Sequence, residues 1–424
     1  MRIFIAYAQF PETDKNAGGM RVFEILKMLA EARHSVTFMT SSENDIRYRK
    51  AVEDLGIDCL SDADRSLVGD VEEFGAYLRE QQFPVAVFVQ YFIYNRYAPY
   101  FRMLLPDCRL VYDALDLEFV RCEREAQVLG TKEAREYASR VKEEEIATLK
   151  DCDAVWTVTE VEKQTALALV PDKRVDVIPT IHEVDPDLPG YDARDGIVFL
   201  GSYHHRPNLD AIHYFMADIF PQIRTALPEV KFLIAGAAPT DDLYQYEKQW
   251  TNVKVTGYIE DHRALLKSCR VGIAPLRFGA GMKGKIGEYM GCGLPCVTSS
   301  VGAEGIGLTH EKEVLIANTP DDFASCVIRL YSDTAIWEKL AHAGASYINT
   351  FSHDSIAPRV IEAVRAASEL PVRAQVTSAG NIFSLLRRPG DVWRWIGTAG
   401  RAVRRGGIRE LVKQFRVWLR RPSA

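Results

Sequence analysis

From Ala274 to Thr298 the chain reads Ala-Pro-Leu-Arg-Phe-Gly-Ala-Gly-Met-Lys-Gly-Lys-Ile-Gly-Glu-Tyr-Met-Gly-Cys-Gly-Leu-Pro-Cys-Val-Thr. An apolar run leads through Gly279, Gly281 and Gly284 into a predicted helix near Lys285. Glycines let a backbone come close to a ligand, and the free N–H groups of a helix start suit a phosphate. Lys283 and Lys285 add two cationic charges where a diphosphate would lie, and Glu288, one turn on, can accept hydrogen bonds from ribose hydroxyls. A glycine-rich turn with solvated lysines explains the same letters, so the stretch alone leaves both readings open.

Metal and thiol chemistry find little support. His34 falls in a turn before a strand. His182, His213, His262, His310, His342 and His353 stand alone without metal-ligand spacing. Among the eight cysteines, Cys292 and Cys296 lie close together, but no further ligand completes a zinc pattern, so no metal site is expected and free thiols are. The aromatic run from Tyr91 to Tyr97 lines an acceptor groove or starts a packed helix.

These residues need a frame. A chain of 424 residues exceeds one ordinary core, which predicts two domains. Apolar runs at Arg2 to Tyr7, Ser35 to Thr40, Val85 to Val89, Arg109 to Tyr112 and Ala154 to Val158 alternate with helical patterns, among them a charged stretch from about Lys132 to Lys150. A loop from Ala8 to Ala17 is expected to close on Gly18 and Gly19. Two prolines, a glycine and four aspartates between Val184 and Asp195 mark a linker. The rhythm then restarts at Ile197 to Leu200, Lys231 to Ala235, Val253 to Val255, Val271 to Ala274 and Cys296 to Thr298. The expected fold class is α/β: two Rossmann-like, doubly wound parallel-sheet domains, 1–190 and 191–369, facing a cleft. The last helix of the second is expected to pack back on the first.

Residues 370–424 differ. From Pro371 onward 12 Arg and Lys stand against 2 Asp and Glu, a balance of +10; the chain total is −6, so the preceding body carries −16. From Ile408 on, Leu411, Val412, Phe415, Trp418 and Leu419 share one helical face, and Arg409, Lys413, Arg416 and Arg420 another. This basic amphipathic tail suits an anionic membrane surface through 382–421, or else packs on the body or leads into a further domain. An acidic body speaks against nucleic-acid binding. No run is long and apolar enough to span a membrane, and the short apolar start lacks a signal-peptide h-region, so the expected location is cytoplasmic, with peripheral attachment at the inner membrane face open.

Several motifs in order resemble one family. Asn16-Ala-Gly-Gly19, Ile178-Pro179, Phe199-Leu-Gly-Ser-Tyr-His-His-Arg-Pro-Asn208, Ile234-Ala-Gly236, Val255-Thr-Gly257, the stretch from Pro275 to Pro295 and Gly302-Ala-Glu-Gly305 are similar to those of the GT4-type retaining glycosyltransferases, group 1, with the GT-B fold. The resemblance implies a nucleotide-sugar donor and a glycan or lipid-linked acceptor in cell-surface polysaccharide or glycoconjugate synthesis, without a cofactor. It implies that Gly18 and Gly19 lie beside the donor diphosphate. Gly279, Ala280 and Gly281 with Lys283 and Lys285 would hold it from the other side, Glu288 would bind ribose, and Gly257 and Tyr258 would lie near the base. Gly201, Arg206, Glu304 and Gly305 complete the donor set.

The chain departs from the pattern in three places. Ala280 stands where a second glutamate commonly contacts the donor sugar. Ser202, His204, His205 and Arg206 follow Gly201 in place of the usual Arg and Lys, which Lys283 and Lys285 can replace. After the strand ending at Tyr112 there is no histidine; Asp113, Asp116 and Glu118 occupy that region. Asp113 and Asp116 are candidate catalytic residues contacting sugar hydroxyls, together with Lys283, Lys285 and Glu288. Alternatively, Asp116 or Glu118 caps the next helix while Arg121 and Arg124 pair with nearby acids. An epimerase or hydrolase of the same fold, or a non-catalytic nucleotide-sugar-binding domain, is the rival function.

Overall fold

A computed structural model describes residues 1–42, 45–61 and 71–372, with the side chains of 71–73 excepted. Apart from residues 370–372, the basic tail lies outside the described residues, and so does its expected membrane face. Met1–Val372 forms one compact unit.

The first sheet has seven parallel strands: β1 (Arg2–Tyr7), β2 (Ser35–Thr40), β3 (Asp58–Ser61), β4 (Val85–Val89), β5 (Arg109–Asp113), β6 (Ala154–Thr157) and β7 (Arg174–Val177), in the order β3-β2-β1-β4-β5-β6-β7. The second has six: β8 (Ile197–Leu200), β9 (Phe232–Ala235), β10 (Val253–Gly257), β11 (Val271–Ala274), β12 (Cys296–Thr298) and β13 (Leu315–Ile316), in the order β10-β9-β8-β11-β12-β13. Helices cover both, which is the expected doubly wound α/β architecture. The short strands β3, β7 and β13 carry no clear alternation, because two to four residues are too few to show a period.

In each sheet the strand order reverses once, between β1 and β4 and between β8 and β11. Loops leaving the carboxyl ends of neighbouring strands diverge there, which opens a crevice for a ligand. The stretch following β11 is the glycine- and lysine-rich one, and Gly201 to Asn208 follows β8. Sequence order thus brings both segments to the second switch point.

The start of the first helix differs from expectation. Gly18 and Gly19 are not the close of a loop but part of the first turn of the Ala17–Glu31 helix. The Asn16 carboxamide oxygen accepts the Gly19 N–H at 2.6 Å and caps that turn, and a Cβ on Gly19 would meet the Glu12 backbone at 2.8 Å.

Chain packing ties the last helix to the first domain. Ile356, Val360, Ala363, Val364 and Ala367 of the His353–Ser368 helix join Val22, Ile25, Leu26, Val85, Val87 and Trp156 in one core. Each buried valine or isoleucine there is worth roughly 1.5–3 kcal/mol relative to exposure. The expected linker is irregular except for a 3-10 turn at Tyr191–Ala193. It is pinned, since the buried Arg194 donates to the carbonyls of Pro189, Leu266, Cys269 and Cys292. All eight cysteines are free. Among the described residues no helix is long and apolar enough to cross a membrane.

Candidate active site

The Gly284–Gly291 helix follows a turn in which Gly279 and Gly281 take φ of +155° and +65°, values that favour glycine. The turn folds back so that the Lys283 ammonium donates to the carbonyls of Ala280 (3.0 Å) and Gly281 (2.9 Å). Lys285 lies 4.3 Å above the Phe199 ring and donates to the Asn208 carboxamide oxygen; the Asn208 amide donates to the Ser202 carbonyl at 2.7 Å. Both lysines are half-buried rather than solvated. Among the described residues neither pairs with a carboxylate. Burial pushes Lys283 down to about 8; burial and repulsion from Lys283 push Lys285 down to about 7. His205, one residue before the Arg206–Tyr214 helix, is lowered to about 4 by burial and by the charges of Arg121, Lys285 and Lys283, against the pull of Asp116. Lys283, Lys285 and Arg121 thus bring cationic charge together beside His205, with Asp116 opposing it.

Glu288, one turn into the same helix, is held from both sides. His182 Nδ1 lies 3.2 Å from Oε1, while Arg263 (3.0 Å) and His262 Nε2 (3.4 Å) face Oε2. Burial alone would raise this carboxyl. Hydrogen bonds from His182 and His262, with the charges of His182 and Arg263, instead hold it well below the usual carboxylate range. It is an anion with fixed acceptor directions.

The first domain supplies the facing wall. Gly281 packs so closely on it that a Cβ would come within 2.9 Å of Asp116 Cβ and 3.1 Å of the Leu115 carbonyl. A Cβ on Gly284 would stand 2.3 Å from that of Ala17, and one on Gly18 3.1 Å from Leu115. Gly305 supports the turn from behind, at 2.3 Å from the Gly281 carbonyl by the same measure. Arg124 donates to the Gly279 carbonyl at 2.8 Å and forks onto Glu304. Gly18, Gly279, Ala280, Gly281, Lys283, Glu304 and Gly305 are thus gathered with Asp116 around one seam, while Lys285 and Gly201 meet at Asn208.

Other expected residues go elsewhere. Asp113 is a correction: it does not face a sugar but is buried, with both oxygens taken by the Arg21 guanidinium at 2.8 and 2.9 Å. A buried carboxylate without such a partner would be costly, so the helix behind the strand claims it. Asp116 and Glu118 both pair with Arg121, each at 3.0 Å. Neither caps the following helix. The cap comes from distant acids: Glu162 accepts the Leu117 N–H at 2.8 Å, and Glu145 accepts those of Glu118 (3.2 Å) and Phe119 (2.7 Å). Arg206 points to Glu125 at 2.7 Å. Tyr258 is 43 % exposed, and its hydroxyl donates to Asp14 of the opposite domain; Gly257 beside it has φ +68° and open space where a Cβ would be. The run from Tyr91 to Tyr97 starts a packed helix, with Tyr91, Tyr94 and Tyr97 in the core.

His182, His262, Arg263 and Asn208 were not singled out from the sequence as partners of the site. They lie 25 to 106 positions from the groups they hold, a distance no local spacing encodes. Among the described residues no group of three or more His, Cys, Asp or Glu side chains is placed to hold a metal ion.

Comparison with known proteins fits this geometry. Residues 194–333 match the family described as Glycosyl transferases group 1. A Klebsiella pneumoniae protein described as an uncharacterized 44.6 kDa protein in the cps region is 25 % identical over 179 residues, which span 40 % of this chain and 46 % of that one. The sucrose-phosphate synthase of Thermosynechococcus elongatus superposes with a TM-score of 0.66 at 17 % identity, over 86 % of this chain and 98 % of that one. The Anabaena protein HepE, solved in complex with UDP-glucose, gives 0.64 at 13 % identity, over 86 % and 100 %. The resemblance read from the sequence holds to this extent: residues 194–333 match the group 1 family, and the chain has the GT-B fold.

Proposed function

We propose that the chain transfers a sugar from a nucleoside-diphosphate sugar to a glycan or lipid-linked acceptor, in the synthesis of a cell-surface polysaccharide or glycoconjugate. The observation that carries this reading is the pair Lys283 and Lys285, half-buried at a strand-order switch point without a carboxylate partner. Two such charges stay buried at a cost that a bound diphosphate would offset. Glu288, fixed as an anion on the same helix, would take the ribose hydroxyls. The UDP-glucose of HepE and the cps region of the Klebsiella relative support the same class of substrate.

In the proposed reaction the bond from the anomeric carbon to the β-phosphate oxygen breaks, and a bond to the acceptor oxygen forms on the same face. The acceptor proton passes to the leaving phosphate oxygen, and configuration is retained. Lys283, Lys285 and the amides at the helix start stabilise the departing charge, so no metal ion is required. Asp116, whose Cβ lies 2.9 Å from where a Cβ on Gly281 would stand, is the candidate contact to sugar hydroxyls. The proposed location is the cytoplasmic face of a membrane, reached through the basic stretch 382–421.

A panel of nucleotide sugars, screened by thermal shift and then by product analysis with and without an acceptor glycan, tests the reading. Transfer to the acceptor supports it. Epimerised or merely hydrolysed donor, or binding without turnover, would place the chain in one of the rival classes. Flotation with anionic liposomes, comparing the full chain with one ending at Val372, tests the membrane step. Equal binding by both would remove the tail from it.

A further inference from the structure

Thr180, His182 and Glu288 form a line of hydrogen bonds outside the lysine site. The His182 ring is buried, with Nε2 3.0 Å from the Thr180 hydroxyl and Nδ1 3.2 Å from Glu288 Oε1. The ring occupies a slot that the Gly284–Gly291 helix leaves open. A Cβ on Gly287 would stand 2.4 to 2.6 Å from three of its atoms, so any other residue there would evict the imidazole. The backbone of His182 is fixed as well, its N–H donating to the Phe351 carbonyl at 3.0 Å. Three separate features therefore hold one ring against one carboxylate.

The direction of these bonds follows from Glu288. An ionised carboxylate only accepts, so Nδ1 carries the hydrogen, and the Thr180 hydroxyl holds the ring at Nε2. On the other side Arg263 and His262 restrain Oε2. Without His182 that side alone would orient the group, and Oε1 would lose its donor at 3.2 Å. His182 belongs to the segment that connects the two sheets, whereas Glu288 belongs to the second domain. The connecting segment thereby sets the rotamer of a binding-site carboxylate.

We propose that His182 is the positioning residue for Glu288, fixing through Nδ1–H the carboxylate that receives the ribose of a nucleoside diphosphate. This rests on the nucleotide reading of Glu288 given above. It predicts a defect selective for ligands with a ribose, because the diphosphate contacts belong to Lys283 and Lys285.

The test is calorimetric titration of the full chain with UDP, GDP and ADP, continuing with whichever the unaltered protein binds most tightly, and with inorganic pyrophosphate as a ribose-free probe. His182→Ala is expected to weaken the nucleoside diphosphate about tenfold or more while pyrophosphate binding stays within about twofold. His182→Asn, whose amide nitrogen takes the place of Nδ1, should recover most of the loss; His182→Gln, with its nitrogen one bond farther out, should not. Adding Glu288→Ala to His182→Ala should cost nothing beyond Glu288→Ala alone. In turnover the defect should raise the KM for donor and leave kcat nearly unchanged.

If His182→Ala binds the nucleoside diphosphate normally while Glu288→Ala does not, the positioning role is overturned and the nucleotide reading stands. If Glu288→Ala binds normally, or the unaltered protein binds no nucleoside diphosphate, the nucleotide reading falls and takes the inference with it. Should His182→Ala lose both probes, the asparagine variant decides: recovery supports the role, and failure to recover overturns it.

Discussion

Arg124 of the first domain grips both carboxylate oxygens of Glu304 in the second, at 2.9 and 3.0 Å, and also donates to the carbonyl of Gly279. One guanidinium thus closes over the turn that precedes Lys283. The pair is about one-third exposed on each side, so its own worth is about 0–1 kcal/mol. Arg124→Ala should therefore leave the melting temperature nearly unchanged while raising the KM for donor several-fold. A large loss of stability with normal KM would show that the contact serves the fold alone.

Lys285 allows ligand binding to be separated from folding. Its ammonium meets an amide oxygen and an aromatic face and no carboxylate among the described residues, so burial works against its charge. Lys285→Met keeps an unbranched side chain one atom shorter and removes the charge. Unfolding in denaturant without ligand should show equal or higher stability, whereas turnover should fall about 100-fold or more, as expected for loss of a transition-state charge contact. A stability loss with intact turnover would make the lysine structural.

The same lysine gives binding a pH dependence. With Lys285 lowered to about 7 and Lys283 to about 8 in the free protein, a diphosphate that needs both charged must draw protons from solution above pH 7. Affinity for pyrophosphate should fall as pH rises from 7 to 9, and the calorimetric heat should change with the ionisation enthalpy of the buffer. Pyrophosphate affinity that is flat over this range would refute the assignment.

Glu145 carries the opposite kind of linkage. Burial raises it to about 8, against hydrogen bonds from the Tyr112 hydroxyl and the N–H groups of Phe119 and Glu118. Between the ordinary carboxyl value of 4.5 and about 8 the folded protein holds a proton that the unfolded chain has released. The stability from this proton is present in full below pH 4.5 and is lost as pH rises through 8. Denaturant midpoints at pH 5.5 and 8.5 should therefore differ more for the unaltered protein than for Glu145→Gln. An equal pH dependence in the two proteins would contradict it.

Asp113 should behave as a structural acid. Its partner Arg21 is fully buried and also donates to the Ile178 carbonyl at 3.0 Å, which ties the first helix to the strand end and to the start of the connecting segment. Removing one member of such a pair strands the other charge, so Asp113→Ala should cost about 3–5 kcal/mol in unfolding free energy. Turnover per folded molecule should stay within several-fold of normal; a drop of about 100-fold in a folded variant would restore it to the reaction.

The sequence by itself determined the βα alternation, the division into two doubly wound halves and the segment that would meet a phosphate. These are local properties: apolar periods of 2 and 3.6 residues, a glycine turn after a strand, two lysines at a helix start. Those local patterns make Lys283, Lys285 and Glu288 candidates, while the strand order that sets them at a switch point belongs to the tertiary structure. Only the tertiary structure decided what each acid and histidine does. Asp113 and Asp116 stand three residues apart and read alike, yet Arg21, 92 positions away, claims the first, while the second stays at the seam beside Gly281. His182 and His262, isolated in sequence, meet on Glu288, and Glu145 and Glu162 cap a helix for which Asp116 or Glu118 was one alternative cap. The reason is physical: a buried charge takes whatever partner the packing of distant elements brings within hydrogen-bonding range, and residue spacing carries no record of that packing.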